Sequence, residues 1–105
     1  MKITIIGTTA YQEKMYKHKI NLEPDNEVRM PAFDNFKDMN ELEVNTYNRE
    51  AIEWADEVHV LWDARSIGTI FDLGMCFALR KKVKVIYLNN KTFQNFLLQY
   101  EETNL

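Results

Sequence analysis

The sequence predicts an α/β domain of three layers, a flavodoxin-like or Rossmannoid fold around a parallel sheet of four or five strands, the four in order 2-1-3-4. Three observations predict it. Apolar strand-like runs alternate strictly with helical patterns, as β-α-β-α-β-α-β-α, and that alternation means a parallel sheet with helices on both faces. The strand runs Lys2–Ile6 and Val58–Trp62 are apolar on both sides, as strands covered on two faces are. The 105 residues suit one domain, spanning 1–105, with one modest core.

Lys2–Ile6 is β-branched and apolar, and Gly7-Thr8-Thr9 is the turn that ends it. Tyr11–Lys19 reads as a short helix with Tyr11, Met15 and His18 on one face. Pro24 and Asp25 mark 21–26 as a loop. Glu27–Met30 is a short strand stopped by Pro31, and 32–39 has no clear period. Asn40–Asp56 is the second helix, with Val44, Tyr47, Ala51 and Ala55 as its apolar stripe and Asn48 inside that stripe. The third strand is Val58–Trp62. Thr69–Arg80 is the third helix, with Ile70, Leu73, Phe77 and Ala78 on one side. Val83–Leu88 is the last strand. Thr92–Glu102 closes the chain, with Phe93, Phe96, Leu97 and Tyr100 as its buried face.

Composition excludes several functions. A formal charge of −3 argues against nucleic-acid binding, which needs a basic face. No apolar run reaches membrane-spanning length. MKITIIG reads as a first strand, not a signal peptide. The single cysteine, Cys76, excludes an internal disulfide and a multi-cysteine metal site, and the chain is expected to be cytoplasmic. His18 and His59 lack a ligand pattern, so no metal is expected and both read as structural or surface residues. Gly7 alone is not a G-x-G-x-x-G fingerprint, and no P-loop lysine follows it. No cofactor is therefore expected, although a mononucleotide-sized ligand still fits.

A parallel sheet of this order binds ligands where the strand order reverses, between strands 1 and 3. Gly7, Thr8 and Thr9 lie there, facing the 63–68 loop, and the 31–34 segment can fold over the crevice. Arg65 and Ser66 precede a helix, where backbone N–H groups and the helix dipole favour an anion. A turn alone also explains them. Asp72 has two readings. In one it completes a capping box by reaching back to the Thr69 amide; in the other its carboxylate faces the crevice. Asn48 either hydrogen-bonds a loop or touches a ligand. Phe33 and Phe36 are candidates to stack on a base. Arg80, Lys81, Lys82 and Lys84 read as cations compensating the end of the third helix.

Three segments resemble the nucleoside 2-deoxyribosyltransferase superfamily, including the 2'-deoxynucleoside 5'-phosphate N-hydrolases. They are SIGTIFDLGMCFALRKKVKVI at 66–86, NREAIEWADEVHVL at 48–61 and EVRMP at 27–31. The resemblance implies cleavage or transfer of the N-glycosidic bond of a 2'-deoxynucleoside or its 5'-monophosphate. A glutamate attacks the anomeric carbon and an aspartate assists proton transfer. The nucleophile's position falls on Asp72, one methylene shorter, and the assisting aspartate's on Asn48, which cannot exchange a proton. Ser66 and Gly68 match the loop that holds the 5'-phosphate. The resemblance also implies a homodimer or higher homo-oligomer, expected to bury parts of the second and last helices. A non-catalytic nucleotide-binding or sensor module on the same scaffold is the alternative.

Overall fold

The computed structural model describes residues 1–32, 38–89 and 92–103. Four strands, β1 (Lys2–Ile6), β2 (Glu27–Arg29), β3 (Glu57–Asp63) and β4 (Lys82–Asn89), form one sheet in the order β2-β1-β3-β4. Every pairing is parallel. The four helices are α1 (Gln12–Leu22), α2 (Glu41–Trp54), α3 (Ile67–Ala78) and α4 (Gln94–Glu102). A short 3-10 turn, Thr9–Tyr11, precedes α1. The expected fold class is therefore the observed one, with four strands among the described residues.

The sheet divides the core in two. On one face Ile6, Val58, Val60, Trp62 and Val83 pack against Ile52 of α2, Leu73 and Cys76 of α3, and Leu97 and Tyr100 of α4. The other face holds a smaller cluster, Ile5 and Leu61 with Tyr11 and with Met15 of α1. This asymmetry follows from connection handedness. The β1-to-β2 step runs opposite to the later steps, so α1 alone takes the second face.

Several boundaries differ from the sequence reading. The second helix begins after Asn40 because a capping box holds it: the Glu43 N–H donates to Asn40 Oδ1 at 2.9 Å. The third helix begins at Ile67, not Thr69. Ser66 is its N-cap, accepting from the Thr69 N–H at 3.3 Å and the Thr69 hydroxyl at 3.0 Å. The capping-box reading of Asp72 is thereby overturned, because Asp72 stands in the second turn. The buried side of α3 is Thr69, Asp72, Leu73 and Cys76, whereas Ile70 and Phe77, expected inside, are exposed. This helix is apolar nearly all round, so its periodicity does not say which side faces the sheet. Phe93, expected in the core with α4, is also exposed.

The basic cluster also has a different role. Lys81 Nζ donates to the Glu53 and Ala55 carbonyls, both at 2.8 Å. It thus satisfies the open carboxyl end of α2 rather than that of α3. Trp54 is occupied by the cations Arg29, 4.1 Å from the ring centroid, and Lys2 at 5.8 Å. Phe33 and Phe36 lie outside the described residues.

Gly7 is the point of closest approach between β1, β3 and α1. A Cβ there would stand 3.3 Å from both Leu61 Cβ and Met15 Sδ, whereas one on Gly74 of α3 would meet nothing within 4 Å. Gly7→Ala should thus cost about 1–3 kcal/mol through overpacking, and Gly74→Ala should add about 0.5–1 kcal/mol through helix propensity. Denaturant midpoints of the two variants check the opposite signs.

Candidate functional site

A cavity of about 150 Å³ opens where the strand order reverses. Gly7 and Thr9 come from the end of β1, and Pro31 and Ala32 from the segment after β2. Glu41, Val44, Asn45 and Asn48 come from α2, and Ser66, Gly68, Thr69 and Asp72 from the start of α3. Of the residues singled out in the sequence, Gly7, Thr9, Asn48, Ser66, Gly68 and Asp72 meet here. Thr8 and Arg65 are not among the lining residues, and Phe33 lies outside the described residues. Glu41, Val44 and Asn45 were missed. Their signal was present, since they precede Asn48 by seven, four and three residues and so share its helix face.

Asp72 sets the chemistry of the cavity. It is 3 % exposed, and its Oδ1 is the one buried side-chain oxygen or nitrogen without a hydrogen-bond partner among the described residues. Burial pushes its pKa up to about 7. A buried carboxyl normally has partners, so an unpartnered one lining a cavity is a group poised for a ligand. Cys76, one turn further on, is fully buried, and burial raises its thiol to about 12. It is therefore a small core residue, not a nucleophile.

Asn48 is buried, and its Oδ1 accepts the Ala32 N–H at 2.9 Å. It therefore ties α2 to the segment after β2, which is the loop hydrogen bond weighed above. The amide NH2 is the end of the side chain this bond does not use. Around Ser66, the Thr69 N–H is taken by the Ser66 hydroxyl. The Ile67 and Gly68 amides are first-turn groups without helical partners. A Cβ on Gly68 would meet no protein atom within 4 Å.

Arg65 is held by Asp63. Its Nε and Nη2 donate to the two carboxylate oxygens at 2.9 and 2.6 Å. The Tyr11 hydroxyl also donates to Asp63 Oδ2 at 2.6 Å, and Asn89 Nδ2 donates to Tyr11 at 2.9 Å. The Arg65 guanidinium and the Tyr11 hydroxyl hold the Asp63 carboxyl well below the usual carboxylate range. The network fixes the loop that carries Ser66, so Arg65 acts on the site through the backbone. No group of three metal-ligating side chains occurs among the described residues. None of their helices is long and apolar enough to cross a membrane.

No protein-family model matches the chain, and neither does any curated protein. Among solved structures, the chain is similar to the CMP N-glycosidase BcmB of Clostridium botulinum. The TM-score is 0.64 at 19% identity, over 94% of this chain and 80% of that one. At that identity the likeness shows a shared fold.

The raised pKa of Asp72 fixes the sign of a stability effect. The folded state binds its proton more tightly than the unfolded chain, so this group's stabilising contribution is full below about pH 4. It is lost as pH rises through about 7. Asp72→Asn should therefore raise the melting temperature at pH 8 and leave it nearly unchanged at pH 4. Thermal denaturation at the two pH values checks this.

Proposed function

We propose that this chain is a nucleoside 2-deoxyribosyltransferase-like protein whose cavity binds a 2'-deoxynucleoside or its 5'-monophosphate and breaks the N-glycosidic bond. The observation that carries the reading is the unpartnered Asp72 carboxyl, buried in the same switch-point cavity as Ser66 and Gly68. The shared fold with a CMP N-glycosidase supports it.

In this reading the Ile67 and Gly68 amides, with the Ser66 hydroxyl, receive the phosphate at the amino end of α3. The ionised Asp72 carboxylate attacks the anomeric carbon. The electron pair of the broken C–N bond leaves on the base, which takes a proton from water because Asn48 has none to give. Water then hydrolyses the glycosyl ester and restores Asp72, unless an acceptor base takes the sugar. The missing acid is worth about 10²–10⁴ in rate where proton transfer limits, so turnover is slow. The non-catalytic reading is favoured by one observation: Asn48, which has no proton to exchange, has its Oδ1 committed to the Ala32 N–H and so serves as a fixed wall.

The test is incubation with deoxynucleosides and their monophosphates, followed by separation of free base. Release should rise between pH 6 and 8 with an apparent pKa of about 7, the ionised acid being the reactive form. Asp72→Ala should abolish release and keep binding. Gly68→Leu, at a cavity-lining position where an added Cβ meets nothing within 4 Å beyond its own helix, should weaken monophosphate binding at least tenfold without unfolding the chain. Binding without release in the wild type selects the non-catalytic module.

The same reading includes a homodimer. Exposed large apolar side chains occur on every helix, Leu42 and Tyr47 of the second among them. The set proposed for the interface, in place of the second helix, is Ile67, Ile70, Phe71 and Phe77 of α3 with Phe93 and Leu98 at and on α4. At about 100 Å² each, from the usual area of such side chains at half exposure, they supply much of the roughly 800 Å² per partner a stable interface needs. Sedimentation equilibrium at tens of micromolar should give twice the monomer mass, and Phe71→Glu should return it to the monomer.

A further inference from the structure

The two histidines, unrelated in sequence, meet in space. His18 Nε2 lies 2.7 Å from His59 Nδ1, and His59 Nε2 lies 2.8 Å from Glu57 Oε1. Glu57 and His59 are buried in β3, and His18 is the partly exposed end of the chain on α1. We propose that Glu57, His59 and His18 are positioning residues that pin α1 against β3, and with it the Gly7–Thr9 wall of the cavity, in a manner that depends on the protonation of the two rings. The step from pin to ligand rests on the cavity assignment made above.

Proton counting fixes the pinned state. The Glu57 carboxylate accepts from His59 Nε2–H, so the neutral His59 ring has an acceptor at Nδ1. His18 Nε2–H donates to it. A proton added at His18 Nδ1 leaves this bond intact. A second proton, at His59 Nδ1, sets two N–H groups against each other at a separation that holds one hydrogen. The surrounding charges are mixed. After burial, His59 and then Lys84 of β4 lower the pKa of His18, while at His59 the Glu57 carboxylate raises it against Lys84. Lys82 Nζ, also from β4, is 3.5 Å from Glu57 Oε2. For both rings burial is the largest influence, and the net direction is downward. An undocked ring thus takes a proton before a docked one. Docking is strongest above about pH 7 and weakens as pH falls through the ordinary histidine value near 6.5.

The pin matters because α1 sits on the smaller of the two clusters. Its apolar contacts are Ile5, Tyr11, Met15 and Leu61, with the partly buried Val28, Met30, Ile86 and Tyr87 around them. Its other ties to the sheet are Lys14 over the Tyr87 ring at 4.7 Å and, just before the helix, Tyr11 to Asp63. Met15 also backs the cavity wall, since a Cβ on Gly7 would stand 3.3 Å from its sulfur. Loosening α1 loosens that wall.

Hydrogen exchange on the ligand-free chain tests the pin. After correction for the intrinsic pH dependence of exchange, α1 amides should lose roughly tenfold more protection than β3 amides between pH 7.5 and 5.5, as expected for one buried hydrogen bond. His18→Gln keeps the pin, because its amide offers a donor or, flipped, an acceptor to His59 Nδ1 and does not titrate. It should remove most of that pH dependence. Equal protection of α1 at both pH values in the wild type, or a His18→Gln profile that follows the wild type, overturns the proposal. Deoxynucleoside monophosphate affinity should fall more at pH 5.5 in the wild type than in His18→Gln. Because the exchange measurement uses no ligand, its failure removes the pin, whereas failure to bind at every pH removes the cavity assignment instead.

Discussion

The structure depends on the polar face of β3. All seven residues of this strand are buried. Val58, Val60 and Trp62 point to the larger core. The alternate residues are Glu57, His59, Leu61 and Asp63, so three buried polar groups stand on one face of the central strand. Each unpaired group there would cost about 1–3 kcal/mol, and a charged one more. The rest of that face supplies the partners. Lys82 takes Glu57, His18 takes His59, and Tyr11 and Arg65 take Asp63. Residues 11, 15 and 18 lie on one side of the chain entering α1. They meet residues 63, 61 and 59 of β3 in order, with Met15 and Leu61 as the apolar middle of the row. The rises agree, at roughly 10 Å along the helix and roughly 13 Å along the strand. A register slip of one residue would orphan all three polar groups at once.

Against this satisfied face, Asp72 stands out. Its carboxyl is as buried as Asp63, yet it has neither an arginine nor a tyrosine, and its pKa moves the opposite way. Two aspartates nine residues apart thus take opposite states. Asp63 is committed to structure and permanently ionised; Asp72 is held in reserve at a pKa where it can exist in either form near neutrality.

Much of this was legible in the sequence, and the rest was not for identifiable reasons. Strand order followed from alternation and handedness, which are backbone rules. The crevice then followed from the switch point, and Ser66, Gly68, Asn48 and Asp72 from their places around it. The facing of α3 was illegible because a helix carrying Ile67, Ile70, Leu73 and Phe77 has no polar side to set the phase. Arg65 was read as an anion ligand because its residue type and position suit one. The competing partner, Asp63, is two residues away, and a local ion pair of that kind depends on the loop's shape. The histidine pair depends on how α1 registers on β3, and no local pattern encodes that.

The Asp63 network and the cavity also explain each other. Arg65 would be the obvious cation for a phosphate, yet its guanidinium is occupied by two charge-assisted bonds. If it were free, its charge beside the helix start would favour the ionised form of nearby acids. Kept on Asp63, it leaves the cavity without a neutralising cation among its described lining residues. In the proposed function, recognition of an anion then falls to the neutral donors, the first-turn amides and the Ser66 hydroxyl. Such donors would orient a phosphate without pairing with Asp72, so its carboxyl would stay unneutralised. An arginine reaching into the same space would quench the acid whose availability distinguishes this site.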